Sequence, residues 1–167
     1  MTQPSWTIRP KGERDADAVV ALLAEIAQEG NYFATEWPFD VPERARLMRD
    51  ALLSRRSVGW VAVDGRALVG DLSVIDVLQA EPEIGMMVGA AHRGRGIGRA
   101  LLAYAVAWAR ANGKPALTLR VFPDNERAHA LYRANGFVEV EVQAAAIRRR
   151  DGSARDAIVM RRPIAPS

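Results

Sequence analysis

The stretch from Glu83 to Leu102 narrows the possible folds more than any other part of the chain. It reads Glu-Ile-Gly-Met-Met-Val-Gly-Ala-Ala-His-Arg-Gly-Arg-Gly-Ile-Gly-Arg-Ala-Leu-Leu. The apolar run from Glu83 to Val88 predicts a strand. Gly94, Gly96 and Gly98 then interleave with Arg93, Arg95 and Arg99. Ile97, Leu101, Tyr104 and Trp108 recur at helical spacing, which predicts a helix from Ile97 to Arg110 closed by Asn112-Gly113. A strand, a glycine-arginine turn and a helix N-terminus together make an anion site. Backbone N–H groups point out of the turn, the helix dipole favours negative charge, and glycine lets a ligand approach the backbone. A second strand, Ala116 to Phe122, follows the helix. This strand–helix–strand unit predicts two parallel strands joined by a right-handed crossover.

The remaining elements are placed around this unit. Trp6 to Arg9 reads as a first strand, and Asp15 to Glu29 as a helix with Val19, Leu22, Leu23 and Ile26 on one face. Pro42 opens a second helix that runs to about Arg55. Val58 to Val63 and Ala67 to Asp76 read as strands joined at Asp64-Gly65, a hairpin turn signal. Pro123-Asp-Asn is a turn that can cap a helix from Glu126 to Ala134. Phe137 to Val142 and Asp156 to Met160 complete the strands, with Ile147 to Ser153 as a hairpin tip. The order predicts a single domain over residues 1–167, of α/β (mixed α+β) class, with one mixed sheet and helices on both faces. Trp60, Tyr104, Val106 and Trp108 read as core.

Composition removes several kinds of chemistry. The chain has no cysteine, so disulfides, thiolate metal sites and a cysteine nucleophile are excluded. Two histidines, His92 and His129, are too few for a histidine-rich metal site, and no metal is expected. The net charge of +3 is carried almost wholly by arginine and does not demand a nucleic-acid partner. No apolar run reaches signal-peptide or membrane-span length, so a soluble cytoplasmic protein with no membrane partner is expected.

The glycine loop is not a P-loop, because no Gly-Lys-Ser/Thr follows. Its G-x-G-x-G spacing also departs from the dinucleotide G-x-G-x-x-G. Arg93-Gly94-Arg95-Gly96-Ile97-Gly98 at a helix start resembles the R/Q-x-x-G-x-G signature of the GNAT superfamily of acyl-CoA N-acyltransferases. Downstream, Asn125-Glu-Arg-Ala128-His-Ala-Leu131-Tyr132-Arg-Ala-Asn-Gly136-Phe137 resembles the superfamily's N-x-x-A-x-x-L-Y-x-x-x-G-F block. The resemblance covers roughly Gly59 to Arg162. It implies the GNAT fold, a central, mostly antiparallel sheet of about seven strands with a splayed parallel pair. It also implies acetyl-CoA as acyl donor. Met86, Met87 and Val88 would lend backbone groups to the pantetheine arm. The loop Arg93, Gly94, Arg95, Gly96, Ile97, Gly98 and Arg99 would hold the pyrophosphate. Asn125 would fix the pantetheine or a nearby water, and Tyr132 would bind near the thioester and act as general acid. A homodimer is a candidate assembly, since dimers are common in the family.

With no cysteine to form an acyl-enzyme, direct attack by a neutral amine in a ternary complex is the expected mechanism. Glu83 is the candidate base, with Glu81, Asp71 and Glu36 behind it; pairing of Glu83 with an arginine is an equally good reading. Asn125 can serve simply as a helix cap. Arg148-Arg149-Arg150, at the hairpin tip, is expected to be solvated charge, with attraction of an acidic substrate as the alternative. Tyr32, Phe33, Trp37 and Phe39 crowd one loop, more aromatics than a solvated loop needs. In the family this region covers the acceptor pocket, so Tyr32, Phe33, Glu36 and Trp37 are candidate substrate-binding residues. The expected acceptor is a small amine: an amino acid, a polyamine or an antibiotic-like compound. A protein N-terminal or lysine acetyltransferase and a non-catalytic acyl-CoA-binding module are the alternatives.

Overall fold

The structure, a computed structural model, describes residues 5–30 and 33–165. Its strands are β1 (Trp6–Pro10), β2 (Ser57–Asp64), β3 (Ala67–Ile75), β4 (Glu83–Val88), β5 (Ala116–Val121), β6 (Val138–Arg148) and β7 (Ala154–Pro163). Its helices are α1 (Ala16–Gln28), α2 (Val41–Leu53), α3 (Ile97–Ala111) and α4 (Glu126–Ala134). The seven strands form one sheet in the order β1-β2-β3-β4-β5-β7-β6. Every neighbouring pair is antiparallel except β4 and β5. The strand–helix–strand unit and the mixed sheet are as the sequence predicts.

Two apolar clusters cover the two faces. Val19, Leu22, Leu23 and Ile26 of α1 pack with Val61 and Met87 on one side. On the other, Ile97, Leu101, Leu102, Ala105 and Val106 of α3 join Leu72, Leu119, Tyr132 and Phe137. Asp40 caps α2 by accepting a hydrogen bond from the Glu43 N–H at 2.8 Å, with Pro42 in the first turn.

Three expectations are corrected. The inward stripe of α3 runs through Ile97, Leu101, Leu102, Ala105 and Ala109, while Tyr104 is 44% exposed and leans on Trp60 at the rim, ring centroids 6.1 Å apart. Trp60 and Trp108 are only partly buried, flanking the core rather than filling it. The last hairpin is longer than its alternation suggests, with Ile147 and Arg148 still in β6 and β7 reaching Pro163. Irregular register between Gln143 and Ile147, with Ala145 at φ 52°, breaks the period-two pattern there.

The parallel pair is held at a single register position, Glu83 opposite Thr118. Beyond it the strands part. β4 is zipped to β3 over six register pairs and β5 to β7 over six more. Each strand follows the twist of its own ladder, so a wedge opens toward their C-terminal ends.

Candidate active site

The wedge leaves backbone groups without a neighbour strand. Gly89 N–H bonds to Val69 O at 2.9 Å, which fixes the antiparallel alternation along β4. Odd-numbered residues, Met87 among them, therefore turn their N–H and C=O toward β3. Met86 and Val88 turn theirs toward the wedge. Val88 O is capped by the Arg93 Nε–H at 2.9 Å, so Met86 N–H, Met86 O and Val88 N–H remain facing the gap. Backbone groups left without a strand neighbour in this way are open to pairing with a ligand. Of the three residues expected along this strand, Met86 and Val88 face the gap, while Met87 is bonded to β3 and packs its side chain in the α1 cluster.

The glycine loop sits at the open end of the wedge. Gly94 and Gly96 take left-handed φ of 74° and 82°, and Gly96 is the residue before α3. Among the described residues, the N–H groups from Gly94 to Arg99 donate to no backbone or side-chain acceptor, whereas Ala100 N–H bonds to Gly96 O. A run of unpaired amides converging on a helix N-terminus is an anion cradle. A Cβ on Gly98 would lie 3.0 Å from Leu131 Cδ2, so this glycine lets α3 close on α4.

The arginines divide their work. Arg93 is forked onto Glu29 at 2.7 Å through both terminal nitrogens, tying the loop to the end of α1. Arg95 bonds to Asp64 and Ser5 at 3.0 and 2.6 Å, tying it to the β2–β3 turn. Arg99 is exposed and has no ion pair among the described residues. Arg93 and Arg95 shape the cradle; Arg99 is the guanidinium available to an anion.

On α4, Asn125 caps the helix through Oδ1, which accepts from Ala128 N–H at 3.2 Å. Tyr132 is 9% exposed and packs edge-on against Phe137, and burial pushes its hydroxyl up to about 12. It therefore keeps its proton throughout the neutral range. His129, given no role by the sequence, is buried beside it with a ring nitrogen 3.2 Å from Phe122 O.

The carboxylates differ in availability. Glu83 lies at the closed end of the wedge, 3.1 Å from Arg120 Nε, so its arginine pairing is present. Glu81 accepts two hydrogen bonds from Arg161, which hold its carboxyl below the ordinary value. Asp71 is buried, which pushes its carboxyl up against the pull of Lys11 at 2.7 Å. Glu36 is committed to the last hairpin, accepting from Arg150 N–H at 2.9 Å.

That contact joins the α1–α2 loop to the β6–β7 hairpin. Ala27, Gly30, Phe33, Thr35, Glu36, Trp37 and Arg149 line a cleft of about 90 Å³ there. Phe33, Glu36 and Trp37 are thus brought together, while Tyr32 lies outside the described residues. The solvated reading of the arginine triplet holds for exposed Arg148 and Arg150 but is corrected for Arg149, whose side chain is only 8% exposed and lies over the Phe122 ring. The sequence signal for this was Phe122, just past β5, whose ring can receive a guanidinium.

The sequence pattern of the acetyltransferase (GNAT) family matches residues 21–137. The chain belongs to the GNAT acetyltransferase family. No curated protein matches it in sequence. Solved structures do match, among them a GCN5-related N-acetyltransferase from Kribbella flavida at 26% identity, covering 95% of this chain and 98% of that one with a TM-score of 0.79. A phosphinothricin acetyltransferase from Sinorhizobium meliloti, in complex with acetyl-CoA, matches at 23% identity, covering 97% and 90%, TM-score 0.79. Spermidine N-acetyltransferase from Vibrio cholerae, in complex with CoA and spermine, matches at 20% identity, covering 96% of each chain, TM-score 0.80. As a GNAT enzyme the protein is an acyltransferase whose acyl donor is acetyl-CoA. The unpaired amides at the head of α3 and the unpaired edge of β4 fit such a donor, one suited to a pyrophosphate and the other to a chain of amides. Among the described residues no group of three His, Asp or Glu side chains gathers that could hold a metal ion.

Proposed function

We propose that this GNAT enzyme acetylates the primary amine of a small molecule by direct attack in a ternary complex. The observation that carries the acceptor class is the closed acceptor side. Glu36 accepts from the Arg150 N–H and faces the Arg149 side chain, so the α1–α2 loop and the last hairpin roof a small cleft rather than flank an open groove. A peptide substrate needs an open groove. The Met86 and Val88 backbone groups hold the pantetheine arm, the 94–99 amides with Arg99 hold the pyrophosphate, and Asn125 contributes beside its capping role. The amine must be neutral to attack the thioester carbon. Glu83 takes its proton through water. The departing thiolate takes the Tyr132 proton, which burial holds in place at neutral pH.

The test follows thiol release from acetyl-CoA with a panel of small amines. Tyr132→Phe should retain acetyl-CoA affinity within about twofold and lower kcat by roughly 10²- to 10⁴-fold, the usual range for loss of a general acid. Full turnover by the variant at neutral pH would assign the proton to another group. Turnover of peptides alone would replace the small-molecule reading with the protein-acetylating one.

A further inference from the structure

Resting on that reading, we propose that the acceptor carries a carboxylate beside its amine, and that Arg149 is the residue that binds it. Arg149 is a guanidinium buried without adequate partners. Its side chain is 8% exposed, and its nearest carboxylate oxygen, Glu36 Oε1, is 3.9 Å from Nη1, beyond hydrogen-bond reach. The other Glu36 oxygen is taken by Arg150 N–H at 2.9 Å. Among the described residues the Arg149 guanidinium donates no hydrogen bond, although it has five N–H groups.

Other arginines in the same chain are treated differently. Arg93, Arg46 and Arg161 each meet a glutamate through two bonds of 2.7 to 2.8 Å. Burying a charge without that compensation is costly, and such groups persist where a ligand completes them.

The surroundings say what the ligand is. Arg149 lines the cleft between the α1–α2 loop and the last hairpin. Its Cζ lies 5.1 Å from the centroid of the Phe122 ring, so an aromatic ring backs the guanidinium. A guanidinium fork matches a carboxylate in two parallel hydrogen bonds. Phe33 and Trp37 supply apolar wall for the rest of the molecule. Among the described residues, Glu36 is the one other charged residue lining the cleft, and it has the opposite sign. A cavity holding one cation and one anion suits a zwitterion and disfavours a polycation, which Arg149 would repel. An amino acid has this chemistry; a polyamine does not.

The experiment compares the twenty common L-amino acids with their decarboxylated amines and with spermidine, reading kcat/KM by thiol release. At least one amino acid should exceed its own decarboxylated amine about tenfold or more. Arg149→Met should lower kcat/KM for that amino acid about 10²-fold and leave the carboxylate-free amine within about threefold, since loss of a buried charge partner falls on the ligand that carries its counterpart. Arg149→Lys should recover part of the loss. An unchanged melting shift with acetyl-CoA will show that the variants are folded. Equal losses for both members of a pair, or preference for the decarboxylated amines or spermidine, would overturn the inference while leaving the small-amine reading standing. Acetyl-CoA binding with no turnover of any amine in the panel would mean that the small-amine reading itself fails, and the inference with it.

Discussion

Lys11 and Asp71 show how much single residues carry in this protein. Their ion pair, 2.7 Å long, is buried between β1's end and β3, and Ser73 Oγ completes the ammonium's contacts. Nothing in the sequence separation of 60 residues announces it. Removing one partner leaves the other charged in an apolar site. Lys11→Met should therefore destabilise the fold by about 3–5 kcal/mol, and Lys11→Met with Asp71→Leu should recover most of that loss in urea titrations. If the double variant is as unstable as the single one, Lys11 acts through its packing against Gly59 rather than through charge. The same contrast governs the candidate site. Tyr132 and Asn125 could be picked out because a short motif fixes their places on one helix. The duties of Arg93, Arg95, Arg99 and Arg149 could not, because each depends on which carboxylate the folded chain brings within reach.

At the level of elements, local pattern located nearly every strand and helix. Period-two alternation, the helical stripes of α1 and α3, and the Pro and Gly punctuation are all short-range signals. What they miss is direction in space. The wedge arises because two ladders twist apart, and only the register of β4 on β3 reveals that Met86 and Val88, not Met87, face it. This gives a prediction at single-amide resolution. Saturating acetyl-CoA should slow hydrogen exchange at the Met86 and Val88 amides and at those from Gly94 to Arg99, relative to the free enzyme. Met87, already bonded to β3, should change least within the strand. Protection of Met87 equal to that of its neighbours in two-dimensional NMR would show that the donor does not bind along the wedge as an added strand.

Across the whole molecule, the glycine loop is tied to elements far apart in the chain. Arg93 joins the cradle to α1 through Glu29, Arg95 joins it to Asp64 and Ser5, and Gly98 brings α3 against Leu131 of α4. The fold was legible from pattern and motif because these elements recur in order. The ties were not, since each joins residues far apart in sequence. Their consequence is thermodynamic. A ligand held by the cradle stabilises everything the cradle is fastened to, so the domain should respond as one cooperative unit. At acetyl-CoA concentrations 100 times Kd, the gain is about 2.7 kcal/mol. For a domain of this size that raises Tm by roughly 5–10 °C. The rise should be the same by far-UV circular dichroism and by tryptophan fluorescence, because Trp6, Trp60 and Trp108 lie on β1, β2 and α3. A shift seen by one probe alone would mean that the cradle and the first strands unfold separately, and that the arginine ties do not couple them. Arg93→Ala should then sharpen the point: if the ties carry the coupling, this variant loses part of the ligand-induced shift even though its backbone amides still face the anion.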